Sequence, residues 1–155
     1  MTRLCCDVLS ALRAKEMTLA TAESVTGGGI GAALTAVPGA SDVFKGGVIS
    51  YVDQVKEEVL GVSRGVLDCC GAVSSQTAEA MAIGVCKLLK ADAAVSVTGL
   101  AGPGGDEFGH EVGTVFIGFS TQTTTMVAEC HFEGNRDEVR SQTVLAALRL
   151  ILDNL

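Results

Sequence analysis

The feature of this sequence that most constrains its fold is the near-continuous apolar segment from Ala93 to Thr98. Such a segment is typical of a strand in a sheet covered on both faces, whereas a half-exposed strand alternates polar and apolar residues. The stretch before it carries apolar residues at helical spacing and follows Ser74 and Ser75, which both favour the start of a helix. A helix that leads into a doubly covered strand indicates an α/β protein.

Helical and strand patterns alternate along the rest of the chain. Near the end, two strand-like segments separated by a tight turn predict an antiparallel hairpin, which makes the sheet mixed. We therefore predict a three-layer α/β/α sandwich with a mixed, mostly parallel sheet of about five strands, formed by a single domain over residues 1–155. The further predicted elements are helices at Thr2–Lys15, Ile30–Thr35, Asp53–Leu60 (with Asp53 as its cap) and Asp137–Leu155, and strands at Thr18–Ala22, Gly46–Tyr51, Gly113–Ser120 and Thr124–Phe132.

The charge balance and the lack of long apolar runs limit the partners of the chain. It has 11 basic and 18 acidic residues and a formal net charge of −7, whereas proteins that bind nucleic acid usually present a basic face. No segment reaches the roughly 18 consecutive apolar residues of a membrane span. The first 15 residues lack the apolar core of a signal sequence. We expect no nucleic-acid partner, no membrane association and a cytoplasmic location.

The six cysteines include no Cys-x-x-Cys pair, which argues against a zinc or thioredoxin-like site. Four of them form two adjacent pairs, Cys5-Cys6 and Cys69-Cys70, which are a poor basis for a disulfide framework. We expect reduced and mostly buried thiols, with a redox role as the open alternative.

The first candidate for chemistry is the segment Glu23–Gly29, between a strand end and a helix start. Ser24 or Thr26 could act as a nucleophile, and the backbone N–H groups from Thr26 through Gly27 to Gly28 could hold an oxyanion. Glycine also allows a ligand to approach the backbone closely. The alternative is that Ser24 or Thr26 only caps the following helix.

A second candidate is Tyr51 with Lys56, because a serine nucleophile needs a base. Ser–Lys pairs replace Ser–His–Asp in some hydrolases, and a lysine in a desolvated pocket can be neutral enough to accept a proton. Tyr51 could relay that proton or position the substrate. The alternative is a solvated lysine beside a tyrosine at the rim.

Two further segments could bind a substrate. The Gly-rich loop that starts at Thr98 and Gly99 could cradle a phosphate or a ring, or it could be a plain connector. Arg136 and Arg140 lie four residues apart on one helix face and suit a phosphate or carboxylate, although they could equally balance nearby acidic residues.

Nine short motifs in one order identify the chain as a member of the CinA C-terminal domain family, the nicotinamide-nucleotide amidohydrolases. The resemblance runs from about residue 4 to the end. The motifs are Glu23-Ser24-x-Thr26-Gly27-Gly28, Pro38-Gly39-x-Ser41, Gly47-x-x-x-Tyr51-x-x-x-x-Lys56, Leu60-Gly61-Val62, Gly71-Ala72-Val73-Ser74, Ala80-Met81-Ala82, Thr98-Gly99-x-Ala101-Gly102-Pro103-x-Gly105, Val112-Gly113-Thr114-Val115 and Gly134-x-Arg136-x-x-x-Arg140.

The resemblance implies a three-layer fold and the deamidation of nicotinamide mononucleotide to nicotinate mononucleotide and ammonia, without a metal or another cofactor. This reaction serves pyridine-nucleotide recycling. Carried over by position, Ser24 is the nucleophile, Tyr51 and Lys56 are its partners, and Arg140 is a functional arginine. Arg140, together with Arg136 and the loop at Thr98 and Gly99, is expected to hold the substrate phosphate.

Four positions depart from the usual family pattern. Val25 replaces a cysteine and so removes a rival thiol nucleophile, and Val52–Val55 replaces Ser-Asn-Glu-Ala. His110-Glu111 replaces Lys-Pro, and Asn135 replaces an aspartate. These departures leave two alternatives open, a non-catalytic nucleotide-binding or regulatory domain and an amidase for a different small amide. The high apolar fraction further suggests a homo-oligomer, most simply a dimer.

Overall fold

Helices and strands alternate in the computed structural model, which describes residues 1–155. A short 3₁₀ turn, Ala40–Asp42, lies between the second helix and the second strand. In chain order the elements are α1 (Thr2–Ala14), β1 (Leu19–Glu23), α2 (Gly29–Thr35), β2 (Phe44–Ile49), α3 (Asp53–Glu58), α4 (Arg64–Cys70), α5 (Ser75–Leu89), β3 (Ala93–Gly99), β4 (Thr114–Thr121), β5 (Thr125–His131) and α6 (Arg136–Asn154).

The five strands form one open, mixed sheet in the order β2-β1-β3-β4-β5. Strand β1 pairs in parallel with both β2 and β3. Strand β4 is antiparallel to β3 and to β5, so it alone runs against the other four. The predicted fold class, including the late hairpin, is confirmed.

Helices cover both faces of the sheet. Helices α1, α2 and α6 pack together on one face, where Val95 and Val97 of β3 join the larger core. Helices α4 and α5 lie on the other face, where Ala94 of β3 joins Met81 and Val85 of α5 in a second core. The alternation of β3 residues between two cores explains why its sequence is apolar on both sides.

Among the helices, two details differ from the sequence-based expectations. Asp53 begins α3, but Val52 occupies the cap position and no side chain caps this helix. Helix α4 lies in a stretch for which no boundaries were predicted, and Ser63 caps it by accepting a hydrogen bond from the Val66 N–H at 3.2 Å. None of the helices combines the length and apolar character needed to cross a membrane.

All six cysteines are free thiols, but they are not mostly buried. Cys5 is buried and its neighbour Cys6 is exposed. Adjacent residues on a helix point about 100° apart, so one member of a pair on an amphipathic helix faces solvent. Burial raises the pKa of the Cys5 thiol.

Helix α5 approaches the segment that follows α3 so closely that only glycine fits at position 84. A Cβ atom at Gly84 would overlap the carbonyl oxygen of Leu60. In contrast, a Cβ atom at Gly65 of α4 would meet no atom within 4 Å. The two glycines therefore form a matched pair, since both are helical and only one is in a close contact.

We predict that Gly84→Ala lowers the free energy of unfolding by about 2 kcal/mol, although alanine favours helices. The backbone carbonyl of Leu60 cannot rotate away as a flexible side chain could. Gly65→Ala should instead raise the free energy of unfolding, by up to about 1 kcal/mol. Urea unfolding of both variants measures the difference, and a Gly84→Ala protein as stable as the wild type would contradict the contact.

Candidate active site

The segments that follow the three parallel strands surround a single cavity. Strands β1, β2 and β3 are neighbours, so their carboxyl ends lie at one edge of the sheet, the usual ligand position in such folds. The cavity has a volume of about 260 Å³, near the lower end of the range of roughly 300–1,000 Å³ for small-molecule sites. Its lining consists of Ser24, Val25, Tyr51, Asp53, Lys56, Ala72, Val73, Thr98, Gly99, Leu100, Ala101 and Arg136.

The centre of the cavity is a contact between Ser24 and Lys56. The Lys56 Nζ lies 3.2 Å from the Ser24 Oγ and donates a hydrogen bond to the Ser50 carbonyl oxygen at 2.7 Å. Lys56 is only 1% exposed, so the interpretation as a solvated surface lysine is wrong. Lys56 lies in α3, five residues after Tyr51, and its amine contacts the backbone directly after β2.

The protonation of Lys56 is shifted toward the neutral amine. Burial lowers the pKa of the Lys56 ammonium group, and the negative charge of Asp53 opposes part of that effect. A neutral amine can accept the Ser24 proton while one of its own N–H groups stays bonded to Ser50. The pair therefore has the geometry and the electrostatics of a nucleophile and its base.

Tyr51 and Arg136 lie at the mouth of the cavity. Tyr51 is 57% exposed, as expected of a tyrosine at the rim, and its hydroxyl accepts a hydrogen bond from Arg136 Nη2 at 2.7 Å. Arg136 also donates from Nη1 to the Gly102 carbonyl oxygen at 2.7 Å. The guanidinium group thus links the end of β2, the loop after β3 and the start of α6.

A buried carboxylate organises the segment that carries Ser24. Glu23 is 2% exposed, and its side chain accepts hydrogen bonds from the Thr26 Oγ1 at 2.6 Å, the Ile30 N–H at 2.9 Å and the Gly31 N–H at 2.8 Å. It therefore caps α2 from the preceding strand. Neither Ser24 nor Thr26 caps this helix, so the alternative interpretation of those hydroxyls is wrong.

Glu23 is the residue that the sequence-based reasoning missed. Its carboxylate occupies two N–H groups at the N-terminus of α2, so these two donors are not free for a ligand. The available signal was an acidic residue at the end of a buried strand, seven residues before the helical Ile30. A carboxylate in that place is stabilised by the partial positive charge of the helix N-terminus.

We predict that Glu23→Ala lowers the free energy of unfolding by about 2–4 kcal/mol, because three donors lose a charged acceptor. Chemical denaturation monitored by circular dichroism measures the loss. Glu133→Ala removes an exposed glutamate of the same size and should change the stability by less than about 0.5 kcal/mol. Equal stabilities of the two variants would contradict the role of Glu23 as a cap.

Free backbone donors lie directly after Ser24. The N–H groups of Val25, Thr26 and Gly28 have no acceptor within the chain, whereas the Gly27 N–H is bonded to the Ser24 carbonyl oxygen at 3.0 Å. Of the expected oxyanion donors, Thr26 and Gly28 are free, whereas Gly27 is not. Val25 is an additional free donor. Groups of this kind can stabilise negative charge that develops on a substrate oxygen.

Arg140 holds this segment from outside the cavity. Its Nη2 donates to the Thr26 carbonyl oxygen at 2.9 Å, and its Nε donates to that of Val25 at 3.3 Å. It does not line the cavity, in contrast to Arg136. The two arginines were expected to act together, but the structure gives them different contacts.

The end of β3 and the loop that follows it form one wall of the cavity. The Thr98 hydroxyl donates to the Ala72 carbonyl oxygen at 2.7 Å, which joins this wall to the start of α5. A side chain at Gly99 would lie 2.7 Å from the Thr114 carbonyl oxygen. Thr98 and Gly99 therefore shape the cavity through its walls, and the loop is more than a connector.

The structure thus brings most of the expected residues together around one cavity. Ser24, Tyr51 and Lys56 share it with Thr98, Gly99 and Arg136. The other four, Thr26, Gly27, Gly28 and Arg140, lie outside its lining and belong to the backbone segment that carries Ser24 or to its support.

Comparison with known proteins assigns the chain to a family. Residues 2–155 match the CinA C-terminal domain. A CinA-like protein from Synechocystis is 52% identical over 109 residues, which are 70% of this chain and 26% of that protein. The chain spans about a third of the length of the curated relatives that it matches over most of its own length.

Solved structures agree over almost the whole chain. The competence damage-inducible protein A of Klebsiella pneumoniae is 34% identical with a TM-score of 0.96, and the alignment covers 98% of this chain and 94% of that one. A CinA superfamily protein of Escherichia coli is 33% identical with a TM-score of 0.97, and the alignment covers 99% and 90%. The family match, the sequence identities and the fold agree, and the chain belongs to the CinA C-terminal domain family.

Proposed function

We propose that this chain is an amidohydrolase that converts nicotinamide mononucleotide to nicotinate mononucleotide and ammonia. The observation that carries the proposal is the buried Lys56 amine 3.2 Å from the Ser24 hydroxyl. Burial favours the neutral form of that amine, which is the form that can act as a base. The family resemblance supplies the substrate.

In the first half of the reaction, Lys56 takes the hydroxyl proton of Ser24 while the Ser24 Oγ bonds to the carboxamide carbon. The carbonyl oxygen becomes an oxyanion and accepts hydrogen bonds from the free N–H groups of Val25 and Thr26. When the carbon–nitrogen bond breaks, the protonated Lys56 returns the proton to the leaving nitrogen. Ammonia departs and an ester of Ser24 remains.

In the second half, water adds to the ester carbon. Lys56 takes a proton from this water and passes it to the Ser24 oxygen as the ester bond breaks. The product acid ionises to nicotinate. The Tyr51 hydroxyl accepts from Arg136, so its own proton is available for the substrate or for the departing ammonia.

The test is ammonia release from nicotinamide mononucleotide by the purified protein, measured with a coupled glutamate dehydrogenase assay. We expect release in proportion to the protein concentration, without added metal. The same assay with nicotinamide, which lacks ribose and phosphate, tests the alternative of a different small amide. Faster turnover of nicotinamide would favour that alternative.

A nucleotide-binding domain without catalysis is the second candidate. It is favoured by the departures from the family pattern at Val52–Val55 and at His110-Glu111. Isothermal titration calorimetry with nicotinamide mononucleotide separates the two. Binding by folded protein that releases no ammonia would support the binding domain and overturn the amidohydrolase.

A further inference from the structure

One acidic side chain lines the cavity, and it has no partner in the chain. This residue is Asp53, the first residue of α3. It is absent from all ion pairs of the chain, and it does not cap its own helix. A carboxylate in a binding cavity that serves no structural contact is available to a ligand.

The charge of Asp53 reaches the reacting groups. Its negative charge acts on the Lys56 amine, where it opposes the effect of burial. That amine is 3.2 Å from the Ser24 Oγ. A positive charge on a ligand bound next to Ser24 therefore experiences the field of Asp53.

The proposed substrate carries such a charge. The pyridinium nitrogen of nicotinamide mononucleotide is separated from the carboxamide-bearing ring carbon by one ring atom. A carboxamide that sits against Ser24 consequently brings the ring cation within a few ångströms of the same place. The arginine at the cavity mouth, Arg136, supplies the opposite charge for the phosphate.

Resting on the proposed function, we infer that Asp53 is a specificity-determining residue that selects carboxamides on a cationic aromatic ring over carboxamides on a neutral ring. After deamidation the product bears a new carboxylate beside Asp53, and repulsion between the two anions favours its release. The same field therefore favours the substrate and disfavours the product. Burial, which favours the neutral form of Lys56, reduces the repulsion between this side chain and the ring cation.

The expected effect is moderate because Asp53 is exposed to solvent. Exposed charge pairs correspond to changes of up to about fivefold in binding or rate. Salt screens charges of this kind. The selectivity that Asp53 provides should therefore decrease at high ionic strength, which a purely structural role for the residue would not produce.

The test compares nicotinamide mononucleotide with its reduced form, whose dihydropyridine ring is neutral. The kcat/KM ratio of the two substrates is measured for the wild type, for Asp53→Asn and for Asp153→Asn. Intrinsic differences in reactivity cancel when the ratio is compared between proteins, and so does any general effect on Lys56. Asp153 lies near the far end of α6, roughly 25 Å along the helix from Arg136, and its substitution changes the net charge equally.

We expect Asp53→Asn to lower the ratio about three- to fivefold at low salt and by less at 0.5 M salt, with Asp153→Asn at the wild-type value. An unchanged ratio in Asp53→Asn, with ammonia still released, overturns the role of Asp53 and leaves the amidohydrolase intact. If no protein releases ammonia, the proposed function fails, and calorimetry decides the role of Asp53. If the wild type binds the oxidised nucleotide more tightly than the reduced one and Asp53→Asn loses this preference, the role of Asp53 is supported. If the wild type has equal dissociation constants for the two nucleotides, the role is overturned.

Discussion

Ser24→Ala is expected to reduce the kcat for ammonia release from nicotinamide mononucleotide by at least about 10³-fold. The substitution removes the hydroxyl oxygen that lies 3.2 Å from the Lys56 Nζ. Substrate binding should persist, because the cavity walls and Arg136 are unchanged. Steady-state kinetics and calorimetry on the same preparation separate the loss of kcat from any loss of affinity.

Ser10→Ala is the matched control, since Ser10 is an exposed serine of α1. It should have wild-type kinetics. Thr26 provides a second comparison, because its hydroxyl donates to Glu23 at 2.6 Å and is 1% exposed. If Ser24→Ala keeps near-native turnover while Thr26→Val loses it with an unchanged melting temperature, Thr26 is the nucleophile and the assignment of Ser24 is wrong.

Lys56→Met is expected to lower kcat by about 10²–10⁴-fold, the usual contribution of a general base. Methionine nearly matches the length of lysine and removes a buried amine, so the protein should stay folded. Thermal unfolding checks this point. Lys45→Met replaces an exposed lysine of β2 whose Nζ donates to the Lys90 carbonyl oxygen, and its kcat should equal that of the wild type.

The pH dependence gives an independent test of Lys56. The base must be neutral to accept a proton, so kcat/KM should rise with pH and level off above the pKa of Lys56. Burial lowers that pKa, which places the midpoint of the rise below the ordinary lysine value of about 10.4. The residual activity of Lys56→Met should lack this rise, and an identical profile in the variant would assign the titration to another group.

The contact between Ser24 and Lys56 was predictable because topology alone brings it about. Parallel neighbouring strands end at one edge of a sheet, and both residues follow such ends. The spacing between Tyr51 and Lys56 then sets one residue at the rim and the other inside. No detail of side-chain packing was needed for this part of the site.

The different contacts of Arg136 and Arg140 were not predictable from the spacing of the two residues. Helical periodicity puts Arg136 and Arg140 on one face of α6, which suggested a joint role. The structure directs Arg140 to the carbonyl groups of Val25 and Thr26 and Arg136 to Tyr51. Residues one turn apart on α6 thus lie next to different loops. Which loop each guanidinium contacts depends on how α6 packs against the sheet.

The cap formed by Glu23 has a consequence for how this scaffold can diversify. The N–H groups of Ile30 and Gly31 at the start of α2 are occupied by the chain's own Glu23 carboxylate. The acidic end of a ligand must then be recognised elsewhere, and Arg136 of α6 is the basic side chain at the cavity besides Lys56. Ligand choice consequently depends in part on residues outside the segment that carries the nucleophile. New ligand preferences can arise through substitutions around residues 100–113 and at residues 53 and 136 while Ser24 and Lys56 keep the chemistry intact.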